Sequence, residues 1–100
     1  MLQVLWEYRV RADRVADFEA YYKGSGTWAQ FFAKGEGYRG TQLLHDRENK
    51  LRYYTLDQWE SQELYERFKR DFPDEYAKHD RHCEQFTSDE KLIGYFEVVE

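Results

Sequence analysis

The hydrophobic positions of the chain follow two periods, and the period of two marks the strands. Residues 2–10 place Leu2, Val4, Trp6, Tyr8 and Val10 on one side and mostly polar residues on the other, a pattern typical of a half-buried β-strand. "YRGTQLLHD" and "LRYYTLDQW" are rich in β-branched and aromatic residues and are joined by the polar turn "RENK", so they predict a hairpin. "KLIGYFEVV" predicts a fourth strand.

The period of three to four residues marks the helices. Val15, Phe18 and Tyr22 recur at this spacing in "RADRVADFEAYYK", which predicts a helix with one apolar face. Asp13 is predicted to cap its start, and Gly24 is predicted to follow its end, because helices often stop at a glycine.

A second, short helix is predicted in "WAQFFAK", with Ser25 or Thr27 as its cap and with Trp28, Phe31 and Phe32 on one face. The preceding "GSGT" lacks the leading strand and following lysine of a phosphate-binding loop, and it lacks the serine spacing of a nucleophile elbow. It is therefore interpreted as a helix break and cap. A helix this short is not stable alone, so we expect it to bury its aromatic face as a mobile lid over a pocket.

A longer helical pattern, "ESQELYERFKRDFPDEYAKHDRHCEQF", follows the third strand and is interrupted by Pro73. Proline disfavours helix in the residue before it and is tolerated in the first turn of a new helix, so we predict two helices bent at Phe72–Pro73. One stripe runs along both, with members three or four residues apart: Leu64, Tyr65, Phe68, Phe72, Tyr76, His79, Cys83 and Phe86.

The order of these elements predicts a single α+β domain over residues 1–100. The order βαββαβ is that of a ferredoxin-like fold, in which helices cover one face of an antiparallel four-stranded sheet. The other face is also apolar in places, at Leu5, Tyr54 and Leu56 for example. An apolar face of this kind needs a cover, and we expect a second copy to provide it in a homodimer.

Composition and charge exclude several classes of partner. The net charge is −5 and acidic and basic residues are interleaved, which argues against nucleic acid and anionic membranes. No apolar run approaches the roughly 20 residues of a membrane helix, and the first residues lack the cleavage pattern of a signal peptide. The lone Cys83 fits a reducing cytoplasm. Aromatic residues make up 19% of the chain, which favours a pocket, an interface or both.

Three stretches together resemble one protein family: "GTWAQFFAKGEGYRGTQLLHD", "RYYTLDQWES" and "EYAKHDRHCEQF". They resemble the antibiotic biosynthesis monooxygenase family of the dimeric α+β barrel superfamily. The shared features are the "GY-x-G-T-x-L" lead into the second strand, the aromatic third strand ending in "W-x-S", and the long helix after it. The resemblance implies two protomers packed sheet to sheet into an α+β barrel, each with a cavity between its sheet and helices.

The resemblance also implies a function. Enzymes of the family oxidise polycyclic aromatic substrates with O2 and without metal or flavin, which implies a small cofactor-free monooxygenase for an aromatic or polyketide-like molecule. The alternative is a module of the same fold that binds or senses a small ligand without turning it over. Related haem-degrading members use an Asn on the first strand, where this chain has Glu7, so haem binding or degradation is the least favoured interpretation.

Candidate site residues follow from both arguments. His79 lies on the sheet-facing stripe and Trp59 matches the family's tryptophan at the end of the third strand, so both are candidate catalytic residues; core packing is the alternative for each. His79, His82 and Cys83 share one side of a helix, but zinc prefers four ligands from separate segments, so no metal or other cofactor is expected. The candidate substrate-binding residues are Trp28, Phe31, Phe32, Tyr53, Phe72 and Tyr76.

Overall fold

The computed structural model describes all 100 residues, which form a ferredoxin-like α+β fold as predicted. The four strands are β1 (Leu2–Val10), β2 (Tyr38–His45), β3 (Arg52–Trp59) and β4 (Thr87–Glu97). The helices are α1 (Val15–Tyr22), preceded by a 3-10 turn at Ala12–Arg14, then α2 (Thr27–Phe32), α3 (Gln62–Asp71) and α4 (Pro73–Cys83). The sheet has the order β2-β3-β1-β4, and every neighbouring pair of strands is antiparallel. No helix is long and apolar enough to cross a membrane.

The predicted bend of the long helix is confirmed. α3 ends at Asp71 and α4 begins at Pro73, so the proline occupies the first turn, where its missing N–H costs nothing. Ser61 accepts a hydrogen bond from the backbone N–H of Leu64 at 3.2 Å, which caps the start of α3.

The predicted caps of the first two helices are wrong. Asp13 lies in the 3-10 turn, and neither α1 nor α2 receives a side-chain cap. Gly26 occupies the capping position of α2, and a Cβ there would lie 2.5 and 2.7 Å from two backbone oxygens of α1. Similarly, a Cβ at Gly24 would lie 2.7 Å from the backbone oxygen of Thr41. Close packing of the backbone therefore requires both glycines, and Gly24 also follows the end of α1 at Tyr22 as predicted.

The fourth strand starts four residues earlier than the sequence pattern indicates. Its first part, Thr87–Glu90, is polar, yet it pairs with β1, with Glu90 opposite Tyr8. A bulge interrupts the pairing between Leu5 and Trp6 of β1. Together these features bring the acidic start of β4 alongside the aromatic residues of β1.

Alternation along β3 distinguishes the two faces of the sheet. In β3, the buried residues Tyr53, Thr55, Asp57 and Trp59 face the helices, and the partly exposed residues between them face away. The helix-free face carries a shallow groove. Several apolar residues on β2 and β4 are exposed, namely Leu44, Leu92, Ile93, Tyr95 and Phe96.

Candidate active site

A cavity of about 250 Å³ lies between the sheet and the helices. Its walls are predominantly aromatic, and every helix and every strand contributes at least one lining residue. The aromatic lining residues are Trp6, Tyr8, Tyr22, Trp28, Phe32, Tyr65, Tyr76 and Tyr95. An engineered apolar cavity of about 150 Å³ binds benzene, so this volume suits a flat molecule of about two fused rings, with room for a third ring at the open mouth.

The floor of the cavity carries a buried carboxylate, Asp57 on β3. Only 7% of the residue is exposed. The Thr41 hydroxyl on β2 donates a hydrogen bond of 2.6 Å to its Oδ1, while Oδ2 has no hydrogen-bond partner in the chain. Since the single Thr41 proton goes to Asp57, the Tyr38 hydroxyl, 2.6 Å from Thr41 Oγ1, must donate to Thr41. One carboxylate oxygen is thus held in place and the other is free.

Burial controls the charge of Asp57. Loss of solvation raises its pKa from 3.8 to about 6, and the Thr41 hydrogen bond opposes this only in part. No cation forms an ion pair with it. Asp57 therefore takes up or releases a proton close to neutral pH, as a general base does.

A second pair of polar residues lies beside Asp57. The Tyr8 hydroxyl of β1 and Thr55 Oγ1 of β3 are 3.1 Å apart. The two residues are diagonal neighbours, since Tyr8 lies opposite Tyr53 and Thr55 lies opposite Trp6. Burial raises the pKa of Tyr8 well above its ordinary value, so its hydroxyl stays protonated and can serve as a hydrogen-bond donor.

The mouth of the cavity is open to solvent and mainly acidic. Asp80 of α4 and Glu90 of β4 line it together with Lys69 of α3. Partial burial raises the pKa of both carboxyl groups, and the charge of Asp80 adds to the shift at Glu90. Lys69 Nζ lies 3.7 Å from the Glu66 carboxylate and 4.5 Å from the centre of the Tyr65 ring, so its charge is already partly compensated.

Three of the six predicted substrate-binding residues line this cavity: Trp28, Phe32 and Tyr76. The other three lie outside it. Phe31 and Phe72 pack against Phe68 of α3, and the Tyr53 ring packs on Phe18 of α1. Because Phe31 is only 3% exposed, it belongs to the core that supports the wall.

Neither predicted catalytic residue lines the cavity. Trp59 is fully buried behind Phe32 and Tyr65, and its indole N–H has no partner. His79 packs against Trp28 without lining the cavity, and its Nδ1 is 2.5 Å from the Tyr21 hydroxyl. Burial lowers the pKa of His79 even though Glu75 opposes the shift.

The "HDRHC" segment does not form a metal centre. No group of three or more His, Cys, Asp or Glu side chains converges in a way that could hold a metal ion. Cys83 is buried, and burial raises the pKa of its thiol to about 11, so it packs as a small core residue. His82 lies at the surface beside Tyr21 and Phe86.

Asp57 is the residue that the sequence analysis missed, although a signal for it is present. In β3 the alternation places Tyr53, Thr55, Asp57 and Trp59 on one face. An acidic residue between Thr55 and Trp59 on a core-facing stripe is unusual, because aspartate is almost never fully buried without a partner. The helix-facing position of Asp57 could therefore have been predicted from the alternation, whereas its contact with Thr41 could not.

The matched family model is that of the antibiotic biosynthesis monooxygenases, which covers residues 1–71. The chain belongs to this family. The matched part contains the floor of the cavity, with Thr41, Thr55 and Asp57. The mouth residues Asp80 and Glu90, in α4 and β4, lie beyond it. A comparison with curated protein sequences found no match.

Solved structures share the fold over nearly the whole chain. A mutant of SnoaB, a cofactor-independent oxygenase from Streptomyces nogalater, superposes with a TM-score of 0.82 at 18% identity, covering 99% of this chain and 93% of that one. A putative antibiotic biosynthesis monooxygenase from Deinococcus radiodurans gives 0.79 at 12% identity, covering 100% and 94%. A putative family member from Bordetella bronchiseptica gives 0.73 at 24% identity, covering 99% and 97%. At these identities the likeness concerns the fold alone.

Proposed function

We propose that this protein is a cofactor-independent monooxygenase that binds a flat aromatic, polyketide-like molecule in the cavity between sheet and helices. The proposal rests on the buried Asp57 carboxylate at the floor of an aromatic cavity, with one oxygen hydrogen-bonded to Thr41 and the other free. Membership of the family supports the reaction class. The SnoaB structures, described as those of a cofactor-independent oxygenase, are consistent with it.

The proposed chemistry starts with proton removal by Asp57. A ring CH2 group made acidic by neighbouring phenol or carbonyl groups gives its proton to the free carboxylate oxygen. The resulting anion transfers an electron to O2, and recombination of the two radicals forms a peroxide anion on the ring carbon. The proton held by Asp57 then converts this anion to the hydroperoxide. Loss of water leaves a carbonyl, so that CH2 and O2 become C=O and H2O. The substrate supplies all the electrons, and no metal or flavin is needed.

The surrounding residues would orient the substrate and exclude water. Trp28, Phe32 and Tyr76 are proposed to contact the flat face of the ligand, as aromatic walls do in small-molecule sites. For the predicted catalytic residues His79 and Trp59, we propose supporting roles: His79 steadies Trp28, and Trp59 backs Phe32. Phe31, Phe72 and Tyr53 would support the wall from behind.

We further propose that the chain works as a homodimer through the helix-free face of its sheet. Leu44 and Ile93 are 44% and 39% exposed on or near this face, and Leu5 lines the same groove. Association would remove these residues from water.

A non-catalytic binding module remains a second candidate, favoured by one observation. The only cation among the cavity residues is Lys69, at the mouth, so the floor offers no positive group to stabilise an anionic intermediate. If this alternative holds, the cavity binds flat molecules without consuming O2.

An oxygen-uptake assay with 1,8-dihydroxyanthrone tests the proposal. The wild type is expected to consume one O2 for each quinone formed, and Asp57→Asn is expected to lose this uptake at least 100-fold, as is usual for removal of a general base. Asp89→Asn, an exposed change on β4, is the matched control. Binding of the anthrone without uptake above the buffer rate would support the binding module. No binding at all would refute the cavity as the site.

A further inference from the structure

The charges at the mouth of the cavity indicate which flat molecules it accepts. Asp57, Asp80 and Glu90 contribute three carboxyl groups to the lining, and Lys69 contributes one ammonium group. Lys69 is within ion-pair distance of Glu66, at 3.7 Å, whereas Asp80 and Glu90 form no ion pair within the chain. The mouth therefore presents uncompensated negative charge.

From this arrangement we propose that the cavity selects planar aromatic ligands that carry a positively charged amine, held by Asp80 and Glu90 while the ring lies between the aromatic walls. The inference deepens the proposed function, and it rests on the cavity being the ligand site. Asp80 and Glu90 would then determine which class of aromatic substrate the cavity binds.

The depth of the cavity supports a ligand with two different ends. Asp57 at the floor is more than nine-tenths buried, and its Oδ2 has no partner in the chain, so it can accept a hydrogen bond from the ligand. Asp80 and Glu90 are open to solvent at the other end. A ring with an O–H or acidic C–H at one end and an ammonium group at the other satisfies both.

The family model covers the residues at the floor of the cavity but not the acidic residues at its mouth. The family model covers the floor residues but stops at residue 71, before α4 and β4. Asp80 and Glu90 come from these two elements. The reaction chemistry at the floor is thus carried by the matched part of the chain, and the preference for a cation is carried by the part beyond it.

The electrostatic reasoning predicts a direction for three matched ligands. An amine within about 4 Å of a carboxylate near a protein surface gains enough to change affinity by tenfold or more. A negatively charged ligand loses affinity by a similar factor, because it is repelled by the carboxylates. An anionic ligand would meet Asp80 and Glu90 with only the shared charge of Lys69 to offset them.

The test uses 1-naphthylmethylamine, 1-naphthalenemethanol and the carboxylate 1-naphthoate, which differ mainly in charge. Binding to the full-length protein is followed by quenching of tryptophan fluorescence at pH 7 and low salt, since Trp6 and Trp28 line the cavity. The amine is expected to bind at least tenfold more tightly than the alcohol, and the carboxylate about tenfold less tightly. Raising the ionic strength should reduce both differences, because the mouth is exposed to salt.

Variants assign the effect to the mouth. Asp80→Asn with Glu90→Gln is expected to reduce the preference for the amine to less than threefold, with little change in alcohol binding. Both side chains are open to solvent, so these isosteric changes leave the fold intact. Asp89→Asn removes the same type of charge from the neighbouring position on β4 and is expected to keep the full preference.

The outcomes separate this inference from the proposed function. If the alcohol binds as tightly as the amine, or the carboxylate binds most tightly, the cation preference is refuted while the cavity stands as the site. If Asp89→Asn abolishes the preference as strongly as the double variant, overall charge rather than the mouth is responsible, and the assignment is refuted. Binding of none of the three contradicts the cavity proposal and this inference together.

Discussion

Asp57 lowers the stability of the protein at neutral pH, and the size of this effect can be worked out. Its pKa rises from 3.8 to about 6 on folding because burial disfavours the charged form. Between these two values the folded state binds more protons than the unfolded state, so stability falls as the pH rises. A difference of about 2.2 pKa units at 1.36 kcal/mol per unit gives a loss of about 3 kcal/mol above pH 6.

Asp57→Asn should remove this loss. The asparagine oxygen can still accept the Thr41 hydrogen bond, and the new amide faces the cavity with no protein partner, which costs about 1 kcal/mol or more. We expect the variant to be about 1–2 kcal/mol more stable than the wild type at pH 8, the difference between these two effects. The carboxyl group is neutral in both states only well below pH 3.8, so the gain should be largely lost by pH 4 and should disappear by about pH 3.

The assay is urea unfolding of both proteins at intervals from pH 4 to pH 8, followed by tryptophan fluorescence. The quantity of interest is the difference in unfolding free energy between variant and wild type as a function of pH, because other titrating groups cancel in it. Asp89→Asn, which changes an exposed aspartate, is expected to show no comparable rise between pH 4 and pH 6.

A difference between variant and wild type that does not change with pH would refute the reasoning, as would a difference that favours the variant less at pH 8 than at pH 4. Either result would mean that Asp57 is ionised without cost in the folded protein, and its role as a base near neutral pH would lose its physical support. A stabilised variant that also loses activity would show that the buried carboxylate is kept for function at the expense of stability.

Further predictions concern assembly, packing and the short helix. Leu44→Glu should convert a dimer into a monomer in sedimentation experiments, because it places a charge in the interface. Val99→Glu, at a residue that is 95% exposed, should leave the dimer intact. A wild type that is monomeric at micromolar concentration would refute the dimer. Trp28→Ala should lose about 3–5 kcal/mol in chemical unfolding together with binding of naphthalene ligands, and a loss below 1 kcal/mol would contradict its place in the core. Gly26→Ala should lower the free energy of unfolding by about 1–3 kcal/mol through overpacking. Ser25→Ala should leave it unchanged, because the Ser25 side chain does not cap α2. A larger loss for Ser25→Ala than for Gly26→Ala would support the capping interpretation instead.

The sequence by itself determined the elements, because their periods are local. Alternation in residues 2–10 and in "LRYYTLDQW" defined β1 and β3, and Pro73 defined the bend between α3 and α4. The order of these elements then led to the ferredoxin-like fold. Three of the cavity-lining aromatic residues, Trp28, Phe32 and Tyr76, could be predicted as well, since each lies on the apolar stripe of its helix.

Features that depend on contacts between distant segments were decided only by the tertiary structure. The polar residues 87–90 have no strand pattern of their own and become part of β4 through pairing with β1. The sequence predicted Ser25 or Thr27 as the cap of α2. In the structure α2 approaches α1 so closely that only glycine fits at position 26. Asp57 acquires its Thr41 partner and its raised pKa from the pairing of β2 with β3, and the acidic mouth exists because α4 and β4 meet at the end of the same cavity. Burial and charge at a site are properties of the assembled fold, and no local period encodes them.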